Sequence, residues 1–307
     1  MNLRFIEAFV WVARLRSFTA AAEKLHTTQA AISARIATLE TDFGVKLFER
    51  DKRTVTLTHT GEELLKHAEQ LLGISARMVE AVSDRAAYGG FIAVGVIDTV
   101  VHTWLPQLLG ALRQRFPKVR VEIHTYNSSD LHEELLSGNL DLALTAETIA
   151  NPAIENSSIC GYQMAWIIAP TARGNTLLSD VELLDRLPIL TFLRGSVVYR
   201  DVVARLGPYC VARINPISSI AAMVALVQAG YGLATLPRAT IASSLDSGLM
   251  IALEAAPELA PLPIIASRRR ASESPLVEAT IQLSIDAARA YSSASRAGFI
   301  VVDGEQT

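Results

Sequence analysis

Apolar residues recur at helical spacing from the start of the chain. Phe5, Ala8, Phe9, Val12 and Ala13 share one face of a first helix. Ser17 is placed to cap a short second helix, "FTAAAEKL". "HTT" then breaks the pattern, and Thr28 can cap a third helix running to about Glu40. Two short helices joined by three or four residues form the helix-turn-helix pattern, and Gly44 ends the unit. The period then changes. In "LFERDKRTVTLT", Phe48, Val55 and Leu57 predict a short hairpin with Asp51, Lys52 and Arg53 at its tip, a two-stranded wing.

From His59 to Ala87 the period is again helical and no proline intervenes. Leu64, Leu71 and Met78 form a stripe filled by Ala68, Ser75 and Val82 and widened by Leu65, Leu72 and Val79. A helix of this length extends about 43 Å at 1.5 Å per residue. An apolar seam on such a helix serves a core or a dimer interface, and its place between two domains favours dimerisation. "YGG" at 88–90 marks a hinge.

Beyond the hinge, strands alternate with helices. "FIAVGVI", "KVRVEIHTY" and "LDLALTA" read as strands, with "TWLPQLLGALRQRF" and "DLHEELLSG" as helices between them. "LPILTFL" and "GLATLP" are strands around the helices "SVVYRDVVARLG" and "SIAAMVALVQAG". That alternation predicts βαβ units and parallel sheets in two similar α/β halves. "LPIIASRRR" and "SPLVEATIQLSIDAARAYSSAS" would return the chain to the first half. The expected division is 1–58 for the winged helix-turn-helix and 59–88 for the linker helix. Residues 91–161 with 266–296 form one lobe, 162–265 the other, and 297–307 a tail that is loose or an added edge strand.

The totals agree with several domains. A chain of 307 residues exceeds one ordinary core, and 50% hydrophobic with 19% charged residues is a globular composition. The mean hydropathy of +0.29 calls for a membrane check, but no run of about 20 apolar residues is uninterrupted. The opening "MNLRFIEAFVWVARLRSF" reads as an amphipathic helix rather than a signal peptide. A cytoplasmic protein without a membrane segment is expected. Cys160 and Cys210 stand in no CxxC pair and beside no histidine cluster, so two reduced thiols and no metal are expected. No nucleophile elbow, Walker loop, HExxH or GxGxxG occurs. The glycines of "QAGYGLATLP" follow a helix and precede a strand, the reverse of a phosphate loop, and Gly230 reads as a helix C-cap. No catalytic residue, enzyme activity or cofactor is expected. Charge is uneven: residues 1–58 hold nine Lys and Arg against six Asp and Glu, on a chain of net charge −3. A basic end on an acidic body suggests a polyanionic partner.

"TTQAAISARIATLE" (27–40) gives that partner a surface. Ile32, Ile36 and Leu39 define the buried face of the third helix, so Ala30, Ser33, Ala34 and Ala37 point outward, with Gln29 in the first turn. Small side chains let a helix approach base edges in a major groove. Gln29 can pair with adenine, Ser33 with a base edge or phosphate, and Ala30 and Ala34 with thymine methyls. Thr28 starts the helix, and Arg35, Arg50, Lys52 and Arg53 suit phosphates or the minor groove. Alanine's helix propensity accounts for part of this composition.

The stretch "SFTAAAEKLHTTQAAISARIATLETDFGVKLFERDKRTVTLTHTG" resembles the N-terminal signature of LysR-type transcriptional regulators, with Ser17, Phe18, Ala21, Ala22, Leu25, Gln29, Ser33, Ile36, Leu39, Glu40, Gly44, Leu47, Phe48, Arg50, Leu57, Thr58 and Gly61 matching. "TWLPQLLGALRQRFPKVRVEIHTYNSSDLHEELLSGNLDLAL" and "VALVQAGYGLATLP" are similar to that family's effector domain, so the likeness spans about 1–290. Ala30 and Ala31 stand where the family often has proline, and Ala34 where a basic residue is common. The resemblance implies a winged helix-turn-helix, a long linker helix and a two-lobed, periplasmic-binding-protein-like effector domain. It also implies dimers through the linker helix, paired into tetramers on bent double-stranded promoter DNA, with RNA polymerase a further candidate partner. A solute-binding protein or small α/β enzyme with a helical appendage is the alternative.

A small ligand, a co-inducer, should lie between the lobes at the carboxyl ends of the strands. Four strand-to-helix junctions supply candidates: Asp98 and Thr99; Asn127, Ser128 and Ser129; Arg194, Gly195 and Ser196; Ser218 and Ser219. Free N–H groups at helix starts favour anions, so an anionic metabolite is expected, with Arg194 as a cation for its carboxylate. By resemblance Thr99, Ser128 and Ser196 match positions that often touch the effector, whereas Asp98 replaces the small polar residue usual there and could repel a second carboxylate or accept from an amine or hydroxyl. The same residue types are also ordinary helix caps.

Overall fold

The computed structural model describes residues 2–51, 54–82, 90–173, 178–271, 274–294 and 300–302. Lys52, Arg53 and Tyr88–Gly89 of the expected hinge lie outside the described residues. The chain forms two compact units, one containing Asn2–Val82 and the other Phe91–Leu136 with Leu140–Val302.

In the first unit, α1 (Leu3–Leu15), α2 (Phe18–Lys24) and α3 (Gln29–Phe43) enclose Phe9, Val12, Ile32, Ile36 and Leu39. The caps are local. Ser17 accepts from the Ala20 amide at 3.2 Å and Thr28 from the Ala31 amide at 3.2 Å. Between α2 and α3 the turn is made by His26, a non-glycine residue at φ 49°, a conformation in which histidine is enriched. The hairpin of β1 (Phe48–Asp51) and β2 (Thr54–Leu57) pairs Phe48 with Leu57 and Glu49 with Thr56. The Phe48 ring meets Phe9 and Phe18 at 5.5 and 5.7 Å between centroids, which fixes the wing to the helices.

Glu40 joins α3 to the wing electrostatically. It is 8% exposed, and its carboxylate accepts from the Leu47 amide at 2.9 Å and from Lys46 Nζ at 2.7 Å. Burial pushes the carboxyl upward, but the Lys46 ammonium and the amides of Leu47 and Phe48 outweigh it, so its pKa lies below the ordinary value. The long helix α4 (His59–Val82) follows. Its Leu64, Leu65, Ala68, Leu71 and Leu72 pack on this same core, and Glu69 pairs with Arg14 of α1 at 2.9 Å. The first half of the apolar stripe is therefore used within the chain, a role the spacing alone did not separate from dimerisation.

The second unit has two lobes. In chain order the first is built from β3 (Phe91–Val96), α5 (Asp98–Val101), α6 (Leu105–Arg115), β4 (Arg120–Thr125), α7 (Ser128–Leu136), β5 (Leu142–Thr145) and β6 (Ile154–Tyr162). The second contains β7 (Met164–Ile168), α8 (Asp180–Arg186), β8 (Ile189–Thr191), α9 (Val197–Leu206), β9 (Ile214–Pro216), α10 (Ile220–Gln228), β10 (Leu233–Pro237) and β11 (Ile251–Ala252). The chain then returns through β12 (Leu262–Arg269), α11 (Pro275–Ala294) and β13 (Ile300–Val302). Gly230 ends α10 at φ 75°, the left-handed conformation of a helix C-cap.

Both sheets are mixed, which corrects the expectation of parallel ones. The first-lobe order is β13-β6-β12-β5-β3-β4 and the second is β11-β7-β10-β8-β9. Only the βαβ parts are parallel: β3 with β4 and β5, and β8 with β9 and β10. The crossing and returning strands β6, β7 and β12 pair antiparallel. The lobe boundary also moves. Residues 262–265, expected in the second lobe, belong to β12 and pair with β6, Ile265 pairing with β5 as well. The terminal segment supplies an edge strand, with Ile300 opposite Tyr162 and Val302 opposite Cys160.

Replacing Glu40 by Gln should lower the stability of the first unit by roughly 1–3 kcal/mol, since hydrogen bonds to a charged group are lost. A carboxyl with a lowered folded pKa stabilises above its unfolded value of 4.5 and loses that contribution as pH falls through the folded value. Thermal melts between pH 3 and 7 should show E40Q less stable at neutral pH and less sensitive to acid; parallel curves would refute this role.

Candidate DNA interface and effector cleft

On α3, Thr28, Gln29, Ala30, Ser33, Ala34 and Ala37 are exposed and Arg35 is half-buried, while Ile32, Ile36 and Leu39 are enclosed. The helix period alone produces this division. Its solvent face carries no side chain longer than Gln29 between Thr28 and Ala34. Arg50 lies in β1, opposite Val55.

In the second unit the strand ends of both lobes border a cavity of about 350 Å³. Its first-lobe wall includes Asp98, Thr99, Asn127 and Ser128, and its second-lobe wall Ser196, Ser218 and Ser219. The remaining wall is largely apolar, with Ile97, Phe192, Leu193, Val197, Ile217 and Leu262. Three expected residues are elsewhere. Ser129 is exposed on α7 one position beyond the lining Ser128. Arg194 is exposed, and its guanidinium lies 5.8 Å from the Tyr199 ring centre, with Nη1 donating to the hydroxyl at 3.4 Å. Gly195 turns the loop, and its carbonyl accepts from the Arg200 guanidinium. The cation expected for a carboxylate thus does not face the cavity.

Several lining residues do cap helices. Asn127 Oδ1 accepts from the Asp130 amide at 3.1 Å, Ser196 from Tyr199 at 3.2 Å and Ser219 from Ala222 at 3.3 Å. Ser128 instead accepts from the Ala146 amide at 3.2 Å, tying α7 to the end of β5. Thr99 is different: it is 1% exposed and its Oγ1 has no partner.

Sequence reasoning missed Glu147 and Arg200, and within the junction "YNSSD" (126–130) it did not single out Tyr126 and Asp130, which line the cavity. Glu147, just after β5, pairs across the cleft with Arg200 of α9 at 2.9 Å. Asp98 also crosses, its Oδ2 accepting from the Ile220 amide at 2.7 Å. Below Glu147, His132 Nε2 donates to Thr145 Oγ1 at 3.1 Å, because that hydroxyl itself donates to the Glu147 carbonyl at 2.9 Å. Burial drives the His132 pKa below its ordinary value, against the opposing carbonyl and carboxylate of Glu147. Burial raises that of the Cys210 thiol, which leaves little reactive thiolate. Among the described residues no group of three or more His, Cys, Asp or Glu could hold a metal ion, and no helix is long and apolar enough to cross a membrane.

A small-residue recognition helix in a winged unit, joined to a two-lobed domain with a cleft, defines a DNA-binding regulator with an effector domain. The comparisons agree. Residues 3–62 match the bacterial regulatory helix-turn-helix proteins of the lysR family, and residues 86–289 match the LysR substrate binding domain. The chain belongs to the LysR family of transcriptional regulators. The HTH-type transcriptional regulator AlsR of Bacillus subtilis (strain 168) is 30% identical over 250 residues, covering 77% of this chain and 80% of that one. IlvY of Escherichia coli (strain K12) is 27% identical over 300 residues, covering 91% and 97%. The crystal structure of CbnR, a LysR family transcriptional regulator, shares the fold with a TM-score of 0.72 at 23% identity, covering 94% and 99%.

Two substitutions test the cleft. Thr99→Val removes a buried hydroxyl without a partner and keeps the shape, so the free protein should gain about 1–2 kcal/mol; a lower melting temperature would show a hidden hydrogen bond. For His132, the depressed folded pKa means stability is full above the unfolded value of 6.5 and is lost as pH falls through the folded value. His132→Gln should flatten the stability curve between pH 5 and 7; an unchanged slope would place the titration elsewhere.

Proposed function

We propose that this regulator reads promoter DNA with the exposed face of α3 and responds to a small molecule held in the cleft. The observation that carries the DNA reading is the unbroken face of small residues at Ala30, Ser33 and Ala34, with Gln29 in the first turn. On this reading Gln29 and Ser33 contact base edges, Ala30 and Ala34 thymine methyls, and Thr28 and Arg35 the flanking backbone. Arg50, Lys52 and Arg53 extend the contact at the wing. The orphan hydroxyl of Thr99 in an apolar cavity supports the cleft as the effector site.

The chain acts as a homodimer through α4, with dimers paired into tetramers, so two recognition helices meet successive major grooves of a pseudo-palindromic site. The effector shifts the balance between lobe arrangements and thereby between placements of the dimers on DNA. RNA polymerase is the further partner. The protein works in the cytoplasm, without catalysis and without a resident cofactor; its relatives carry the names of regulators. A solved structure of CbnR with its target DNA gives a related fold in a complex of this kind.

A gel-shift with DNA from upstream of the gene tests the interface. Ser33→Arg should weaken binding at least tenfold, because a long side chain blocks groove entry. Affinity of the wild type should fall steeply with salt, as phosphate contacts require. Binding that is unchanged in S33R would overturn the assigned surface.

A further inference from the structure

The cleft is bridged in a way that decides which ligands it can admit. Both bridges take a carboxylate from the first lobe and a donor from the second: Asp98 to the Ile220 amide, and Glu147 to Arg200. The first amide of α10 would otherwise receive a ligand's carboxylate. It already holds Asp98 Oδ2 at 2.7 Å, and Ser219 takes the amide of Ala222. Three carboxylates line the cavity, Asp98, Asp130 and Glu147, and its described lining includes no Lys, Arg or His. Among these groups Thr99 Oγ1 is buried and unpartnered.

We infer that Asp98 is a specificity-determining residue that occupies the α10 N-terminus and turns the cleft against acids. The inference rests on the reading of the cleft as the effector site. A ligand carboxylate would meet a filled amide and the like charge of Asp98 and Asp130, while the guanidinium at the cleft, Arg200, is already taken by Glu147. An apolar body with a hydrogen-bond-donating head, an ammonium or a hydroxyl, meets complementary groups. The head donates to Thr99 Oγ1 and to Asp98 Oδ1, whose nearby partner is His102 Nε2 at 3.5 Å. The ammonium is favoured over the hydroxyl because Asp98 and Asp130 add charge attraction. This reverses the anionic ligand expected from the helix starts.

The test uses the full-length protein and a matched set of probes: hexylamine, 1-hexanol and hexanoate. Thermal shifts of the wild type at pH 7 should rank hexylamine above hexanol, with none for hexanoate. In Asp98→Ser, hexanoate affinity should rise at least tenfold and hexylamine affinity fall at least tenfold. Asp98→Asn, which keeps an acceptor for Ile220 but not the charge, should lose the hexylamine preference if the serine variant folds poorly. Exchange of the Ile220 amide should be faster in D98S than in the wild type. A wild type not stabilised by hexylamine, a D98S chain that gains no hexanoate binding, or equal Ile220 exchange overturns the role of Asp98. Filling the cleft with Val197→Trp separates the two levels. Probe binding that survives V197W places the probe outside the cleft and overturns the site itself. Binding lost in V197W but ranked alike in wild type and D98S overturns Asp98 alone.

Discussion

The effector unit depends on one late strand. β12 lies between β5 and β6 and pairs antiparallel with both, yet the chain makes it only after building the whole second lobe. Until Leu262–Arg269 arrives, β6 has no partner towards β5, and the first-lobe sheet is split. Contacts of such sequence separation are costly to close. The same return fixes the hinge. Two segments, the β6–β7 junction at Gln163 and the stretch before Leu262, join the lobes, so the lobes can change their angle without either sheet being broken. Leu262 lines the cavity, so the strand that closes the sheet also forms part of the binding wall.

The cleft is polar at its crossing points and apolar between them. Two of its four serines, Ser196 and Ser219, are spent as helix caps, which explains their alignment: strand ends bring helix starts together, and helix starts require caps. The groups that bridge the lobes are instead carboxylates meeting an amide and a guanidinium. Thr99 stands apart, buried and without a partner, where a native interior normally satisfies such a group.

Legibility in the sequence followed the range of each interaction. The α3 face could be read directly, because burial of Ile32, Ile36 and Leu39 sets every other side chain by the helix period. The caps at Ser17, Thr28, Ser196 and Ser219 were equally local. The strands β6 and β7 were not legible: "IENSSICGY" lacks a clean alternation, and its partner β12 is about a hundred residues away. The same distance explains the misplaced lobe boundary at 262–265. Arg200 was hidden because its partner Glu147 precedes it by 53 residues, and Arg194 was chosen because it stood beside the junction. Asp98 was recognised as unusual, but its partner is a main-chain amide 122 residues on, which no side-chain pattern reports.

The last described strand carries a consequence for how the protein is handled. β13 covers the outer side of β6 over Cys160–Tyr162, so the N–H and C=O groups of that stretch face a partner strand rather than neighbouring molecules. A chain shortened to residue 296 would bare that edge over Cys160–Tyr162, and an open strand edge is a template for association between copies. The apolar run Ile300–Val302 thus acts as an edge guard, and colloidal behaviour would change with its removal before folding did.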